Sequence, residues 1–368
     1  MLPCPLIFQP IYRPKIWGGR NLERLLGRSL PPGEKIGESW ECADLANDHS
    51  VVARGPAKGQ TLRQLVGEWG PALLGRARLV DGRFPLLIKF LDACEDLSVQ
   101  VHPPPDAPAE LGAASTKHEA WFVLDAADGA AIYRGLAPGV TVETLASILA
   151  GHPETVPQYL RRIPVRRGDT YYLPAGTVHA LGAGVVVAEV QTPSDITYRL
   201  YDWGRVRPGA DAGLHIEQGL ACIRTAIDFA PFERRSHVAS VFTTVTRLVT
   251  CPSFIIEKVR FAGKVEMDIP YAELVCWIIL EGQSEIQYGE TSAAERGVEP
   301  FAKGDVVLLP AGLEQPRLKT LTDCAWLEVT IPAPSDLAEH PRPASAYLRQ
   351  QPGGEPPLVN LTIKPKTR

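Results

Sequence analysis

The chain has 368 residues, more than one typical domain, so two or three are expected. A formal net charge of −4 with no long basic block argues against nucleic acid as a partner, and no apolar run is long enough to span a membrane. The 32 glycines and 34 prolines are roughly one and a half times the usual share. They lie between short apolar runs, which favours a turn-rich β architecture over a helical one. Seven cysteines, widely spaced and without a C-x-x-C pair, suggest neither a disulfide framework nor a thiolate zinc site. No basic stretch followed by an apolar one opens the chain, so the expected compartment is the reducing cytoplasm.

Residues 1–60 read as short strands and loops. Residues 11–19 hold a proline and two glycines and cannot be a helix. Residues 37–42 alternate as a strand, and Trp17 and Trp40 are read as core. Residues 61–75 carry Leu62, Leu65, Val66, Trp69 and Leu73 at helical spacing behind Thr61, a fitting N-cap. Residues 84–91 form an apolar run interrupted by one charge, Lys89, which either snorkels or faces a wet cavity.

The stretch from Leu97 to Pro103 alternates apolar and polar residues, the period of a half-buried strand. Gln100 and His102 share one face, Val99 and Val101 the other, so an amide oxygen and an imidazole can grip a metal together. A short helix near 108–113 follows. Then Lys117 and Glu119 share a face of the next strand, with His118 on the opposite one. Residues 141–162 read as mainly helical. Residues 168–179 read as a strand, a tight turn and His179 at the start of a further strand. Residues 185–191 put Val187, Glu189 and Gln191 on one face, and Glu189 is positioned to orient a ligand. Asp195 closes a turn, Arg199 lies on an extended stretch, and residues 214–224 read as a helix.

The segment from Gly304 to Gln315 matches the segment from Gly168 to His179 position by position, with Gln315 in place of His179. This internal repeat implies two similar β-domains in tandem. The expected division is a metal-binding catalytic domain over 1–235 with helical insertions at 61–75 and 141–162, a second domain over 236–335 without metal ligands, and a tail over 336–368.

The pattern G-x5-P-x-G-x2-H from Gly168 to His179 resembles the second motif of the cupins, which are double-sheet jelly rolls. Lys89, the Gln100-x-His102-Pro103 stretch, Lys117-His118-Glu119, Pro174 to His179 and Asp195 to Arg199 together resemble the type I mannose-6-phosphate isomerases, in their shorter bacterial form. The resemblance implies a mainly β bicupin, two jelly-roll domains in tandem. It implies that Gln100, His102, Glu119 and His179 hold one metal ion, usually zinc. It implies that Lys89 and Lys117 are the family's lysines and that Asp195 and Arg199 are its active-site acid and arginine. The implied reaction interconverts mannose 6-phosphate and fructose 6-phosphate.

Two imidazoles, a carboxylate and an amide oxygen suit zinc and also tolerate manganese, cobalt or ferrous iron. Aldose–ketose interconversion moves a proton between C1 and C2 through a cis-enediolate, whose charge must be stabilised. Asp195 and Lys117 are both candidates for the base. Arg199, with its forked donors, is the first candidate to hold phosphate or enediolate oxygens, and Lys89 the second. Three alternatives stand beside this reading: a cupin that binds a sugar phosphate without turning it over, an isomerase of another aldose phosphate, and an iron dioxygenase on the same fold. The expected partner is a small sugar phosphate, with the chain a monomer or homodimer and neither nucleic acid nor membrane involved.

Overall fold

A computed structural model describes residues 1–108, 111, 116–205, 213–225, 237–239, 242–290 and 296–332. The chain is mainly β, as expected. In chain order the first twelve strands are β1 (Leu6–Ile7), β2 (Ile11–Gly19), β3 (Ile36–Cys42), β4 (Leu87–Ala93), β5 (Val99–Val101), β6 (Glu119–Ala126), β7 (Ala131–Leu136), β8 (Leu160–Pro164), β9 (Thr170–Leu173), β10 (His179–Leu181), β11 (Val185–Gln191) and β12 (Tyr198–Tyr201). Eleven of them build two antiparallel sheets, ordered β2-β3-β4-β11-β6-β9 and β12-β5-β10-β7-β8.

The two sheets face each other across an apolar layer that includes Trp17, Leu91, Trp121, Val123, Ile132, Leu181 and Val187. Period-two alternation then dictates the rest. Glu119 and Trp121 point into this layer, while Ala120 and Phe122 point out. Ile88, Phe90, Ala120 and Phe122 belong to a second core, which also takes in Cys276, Ile278, Leu308 and Leu327 of a seven-stranded sheet. The first six-stranded sheet is therefore buried on both faces, which explains its nearly unbroken apolar runs. β1 leaves its neighbours in sequence and joins the seven-stranded sheet, pairing with Val306–Leu309.

The repeat is legible in backbone detail. Gly168 and Gly304 adopt the same left-handed conformation, at φ +91° and +94°. Each is followed by a four-residue strand, Thr170–Leu173 or Val306–Leu309. Each strand ends in a turn closed onto its proline carbonyl, Thr177 N to Pro174 O at 3.0 Å and Leu313 N to Pro310 O at 3.2 Å. The two then part. His179 opens β10, whereas Gln315 takes φ +42° and the next strand starts at Arg317. Apart from β1, the strands of the seven-stranded sheet follow the order of the six-stranded sheet, and in each a tryptophan lies directly across from a glutamate that accepts its indole N–H. These pairs are Trp121–Glu189 at 2.8 Å and Trp277–Glu328 at 3.1 Å. Two residues before each tryptophan stand Glu119 in the first case and Val275 in the second.

The expected helix at 61–75 is two short helices, Leu62–Trp69 and Pro71–Leu74, behind a complete capping box in which Thr61 and Gln64 satisfy each other's backbone donors. The expected helix at 141–162 is shorter than its pattern suggested. It runs Val142–Gly151, gives way to a 3-10 turn over Pro153–Tyr159, and continues as the strand β8, because Pro153 and Pro157 interrupt the α ladder. The helix expected at 214–224 runs Ile216–Cys222. The division expected at residue 235, the helix near 108–113 apart from Pro108 and Leu111, and the tail over 336–368 lie outside the described residues. Among the described residues no helix is long and apolar enough to cross a membrane.

A buried polar link crosses the central core. Glu41, 2% exposed, accepts from Ser39 Oγ and Arg28 Nη2 at 2.6 Å each, and Arg28 Nη2 also donates to Gly304 O in the other half at 2.6 Å. Burial pushes the Glu41 carboxyl up from 4.5 to about 7 even with Arg28 beside it. The folded chain thus binds this proton more tightly than the unfolded chain does. Stability contributed here is present at low pH and is lost as pH rises from about 4.5 to about 7. Chemical denaturation at stepped pH should show Glu41→Gln removing a slope on the order of 3 kcal/mol across that window.

Candidate metal centre

β5 places the first pair of residues. Val99 and Val101 are fully buried against a cluster that includes Leu145 and Leu149 of the helix Val142–Gly151. That anchoring turns Gln100, and then His102 just past the strand, toward the opposite side. β10 pairs with β5 so that His179 lies directly across from Gln100. From the other sheet, β6 opens on Glu119. His102, Glu119 and His179 are 2%, 1% and 1% exposed, and the ligand atoms they offer all lie within 4.8 Å of one another.

The two imidazoles are prepared alike. His102 Nδ1 meets Ile196 O at 2.9 Å and His179 Nδ1 meets Thr177 O at 2.8 Å. A carbonyl only accepts, so each Nδ1 carries the proton and each Nε2 presents its lone pair. Both lone pairs face the same carboxylate: His102 Nε2 is 3.1 Å from Glu119 Oε1 and His179 Nε2 is 3.3 Å from Glu119 Oε2. The Trp121 indole stands edge-on to the His179 ring, with centroids 5.5 Å apart, and is itself held by Glu189.

Lys117 fills the remaining approach. Its Nζ is 2.7 Å from Glu119 Oε1 and 3.3 Å from His102 Nε2. Burial drives His102 down to about 3, so it stays neutral. Burial alone would raise Glu119, but His102 and Lys117 outweigh it and hold the carboxylate well below its usual range. Glu119 Oε2 is buried and accepts no hydrogen bond among the described residues. A buried carboxylate set against two imidazole nitrogens, with one of its oxygens orphaned, fits a divalent cation, whose binding would satisfy that oxygen.

Gln100 sits beside this cluster, its amide nitrogen 3.2 Å from His179 Nε2 and its Oε1 receiving Ser98 Oγ at 3.2 Å. A half-turn of the amide exchanges the two atoms and aims the oxygen at the same point. Arg199 lies directly across from Gln100 on β12, on the same face. Asp195 is exposed on the loop after β11, next to Ile196, whose carbonyl anchors His102. Lys89 is 5% exposed and engaged by Glu189 at 3.3 Å and Glu38 at 3.7 Å. It also lies 5.2 Å over the Trp40 ring. Burial works to lower the Lys89 ammonium, but Glu189, Glu38 and Glu119 hold it above its ordinary value. His118 faces away, its Nδ1 meeting Tyr172 Oη at 3.0 Å and Ala175 N at 3.2 Å. Sequence reasoning overlooked Trp121 as part of the centre. Its place two residues after Glu119 on one strand puts it on the ligand face, a signal that was available.

Comparison with known proteins gives a consistent picture. The family described as phosphomannose isomerase type I, catalytic domain, matches residues 6–120. Mannose-6-phosphate isomerase ManA of Bacillus subtilis is 36% identical over 327 residues, covering 87% of this chain and 97% of that protein. The mannose-6-phosphate isomerase of Streptococcus mutans is 36% identical over 307 residues, covering 83% and 92%. The crystal structure of the mannose 6-phosphate isomerase from Bacillus subtilis superposes with a TM-score of 0.77 at 30% identity, covering 89% of this chain and all of that one. A putative mannosephosphate isomerase from Archaeoglobus fulgidus shares the fold, with a TM-score of 0.67 at 21% identity. With identity of this extent along nearly the whole length of its relatives, the chain belongs to the type I phosphomannose isomerase family.

Proposed function

We propose that this chain interconverts mannose 6-phosphate and fructose 6-phosphate as a metal-dependent aldose–ketose isomerase. The observation that carries the reading is the buried trio of His102, Glu119 and His179, with both Nε2 lone pairs turned on one carboxylate. These three residues, with the Gln100 amide oxygen, would hold a single divalent cation. The mixed nitrogen and oxygen donors favour zinc. Bound there, the cation supplies Lewis acidity that polarises the sugar carbonyl.

The chain's own residues supply the rest. The reaction takes a proton from the carbon beside the carbonyl and returns it to the neighbouring carbon through a cis-enediolate. Lys117 Nζ is the proposed carrier inside the barrel, taking the proton as a free amine and returning it as the ammonium, since it already lies against the ligand atoms of Glu119 and His102. Asp195, on the loop that anchors His102, is the proposed second carrier. Arg199 offers forked donors to phosphate or to the enediolate oxygens from the same face as Gln100. Lys89 is the second proposed substrate contact, and it meets substrate only by exchanging Glu189 or Glu38. The first barrel is proposed as the catalytic domain, with the second as its structural support.

A coupled assay for fructose 6-phosphate, with metal analysis of the same sample, tests the proposal. Chelation should abolish turnover and added zinc should restore it. Glu119→Gln should lose bound metal and at least about 10³-fold of activity, since the transition-state charge is then unsupported. Full isomerase activity in metal-free protein would overturn the reading.

Lys117→Met separates proton transfer from metal binding. Lys117 and a cation contend for the same two atoms, so the variant should bind metal at least as tightly as the parent chain. Its kcat should fall about 10²–10⁴-fold. Stripped of metal, it leaves Glu119 as an uncompensated buried charge and should lose about 3–5 kcal/mol of stability, recovered when zinc is added.

A further inference from the structure

The ligands come from two sheets. Gln100 and His179 belong to the five-stranded sheet, and Glu119 belongs to the six-stranded one. A metal site tolerates ligand distances within only about 0.2 Å, so something must fix the spacing between the sheets at this point. On the side of β12 the loop after β11 helps, through the Ile196 carbonyl on His102. On the other side the outer neighbours of the ligand strands are β7, beside β10, and β9, beside β6.

Arg134 spans that gap. It lies on β7 directly across from His179, on the same face of the sheet. Its Nη2 donates to the carbonyl of Tyr172 on β9. Tyr172 pairs with Ala120, and the next residue, Leu173, pairs with Glu119. One guanidinium thus links the strand paired to one ligand with the strand paired to another. The next residue on β7, Gly135, donates to Val178 O at 2.7 Å, so β7 also grips the residue preceding His179.

We infer that Arg134 is a positioning residue for the metal centre, tying the two sheets together so that His179 and Glu119 stay at ligand spacing. A planar fork held by a backbone carbonyl suits this task, because the acceptor is part of the strand itself and cannot rotate away. The inference rests on the metal reading proposed above.

The test measures metal affinity by competition titration and the visible spectrum of the cobalt-loaded protein, alongside the thermal midpoint of the metal-stripped form. Arg134→Gln should weaken zinc and cobalt binding about 10–100-fold, as loss of an outer partner does at other metal sites. It should also alter the cobalt spectrum while leaving the metal-stripped midpoint close to the parent value. Arg134→Lys, which keeps one donor and the charge, should lose less, about three- to fivefold, with a smaller spectral change. If Arg134→Gln does not fold, Arg134→Lys decides the matter by the same readings. Parental affinity and spectrum in the folded variants would overturn the inference, as would an affinity loss matched by a collapse of the metal-stripped midpoint. Failure of the parent chain to take up any metal would sink the metal reading itself, a distinguishable result.

Discussion

Everything at this centre depends on one constraint: an ionised carboxylate from one sheet must sit between two imidazoles anchored on the facing sheet. Such a carboxylate is costly to bury and persists only when paired. Lys117 supplies the pairing at 2.7 Å. The imidazoles are fixed beside it by their Nδ1 bonds to Ile196 O and Thr177 O. The outcome is a cluster satisfied at Glu119 Oε1 and left open at Oε2. That asymmetry is what a structural ion pair would avoid and what a cation-binding site requires.

The second copy of the repeat clarifies the first by contrast. It keeps the sheet order, the left-handed glycine turn and the tryptophan–glutamate pair, yet has Val275 where the first has Glu119 and Gln315 where the first has His179. The shared features are those that shape a jelly roll, and the differing ones are those that would bind a cation. Trp277 and Trp326 pack with tilted rings, 4.7 Å between centroids, and fill that interior with apolar mass. The two larger sheets lie back to back through a common apolar layer, so the wall behind Glu119 is buried on both sides and has little freedom to relax.

Much of this was readable from residue order because it obeys period two. Alternation alone put Gln100 and His102 opposite Val99 and Val101 and set Lys117 and Glu119 against His118, while helical spacing placed Thr61 at a helix start. The repeat at Gly304 was legible for the same reason, a fixed turn chemistry around glycine and proline. What stayed hidden depends on strand pairing across long stretches of chain. Nothing local says that Arg134 lies across from His179, or that Lys89 finds Glu189 on one neighbouring strand and Glu38 close by. Helix length at 141–162 failed for a local reason, since prolines allow an apolar pattern to continue after the α ladder has ended. The exposure of Asp195 also depends on how a loop turns back over the barrel, which residue type does not dictate.

The central claim is that His102, Glu119 and His179 share one cation, and anomalous diffraction from a zinc-loaded crystal tests it most directly. The account predicts a single strong anomalous peak within bonding distance of both Nε2 atoms and the Glu119 carboxylate, with the Lys117 ammonium displaced from that point. A peak elsewhere, or none while Lys117 still bridges Glu119 and His102, would contradict it.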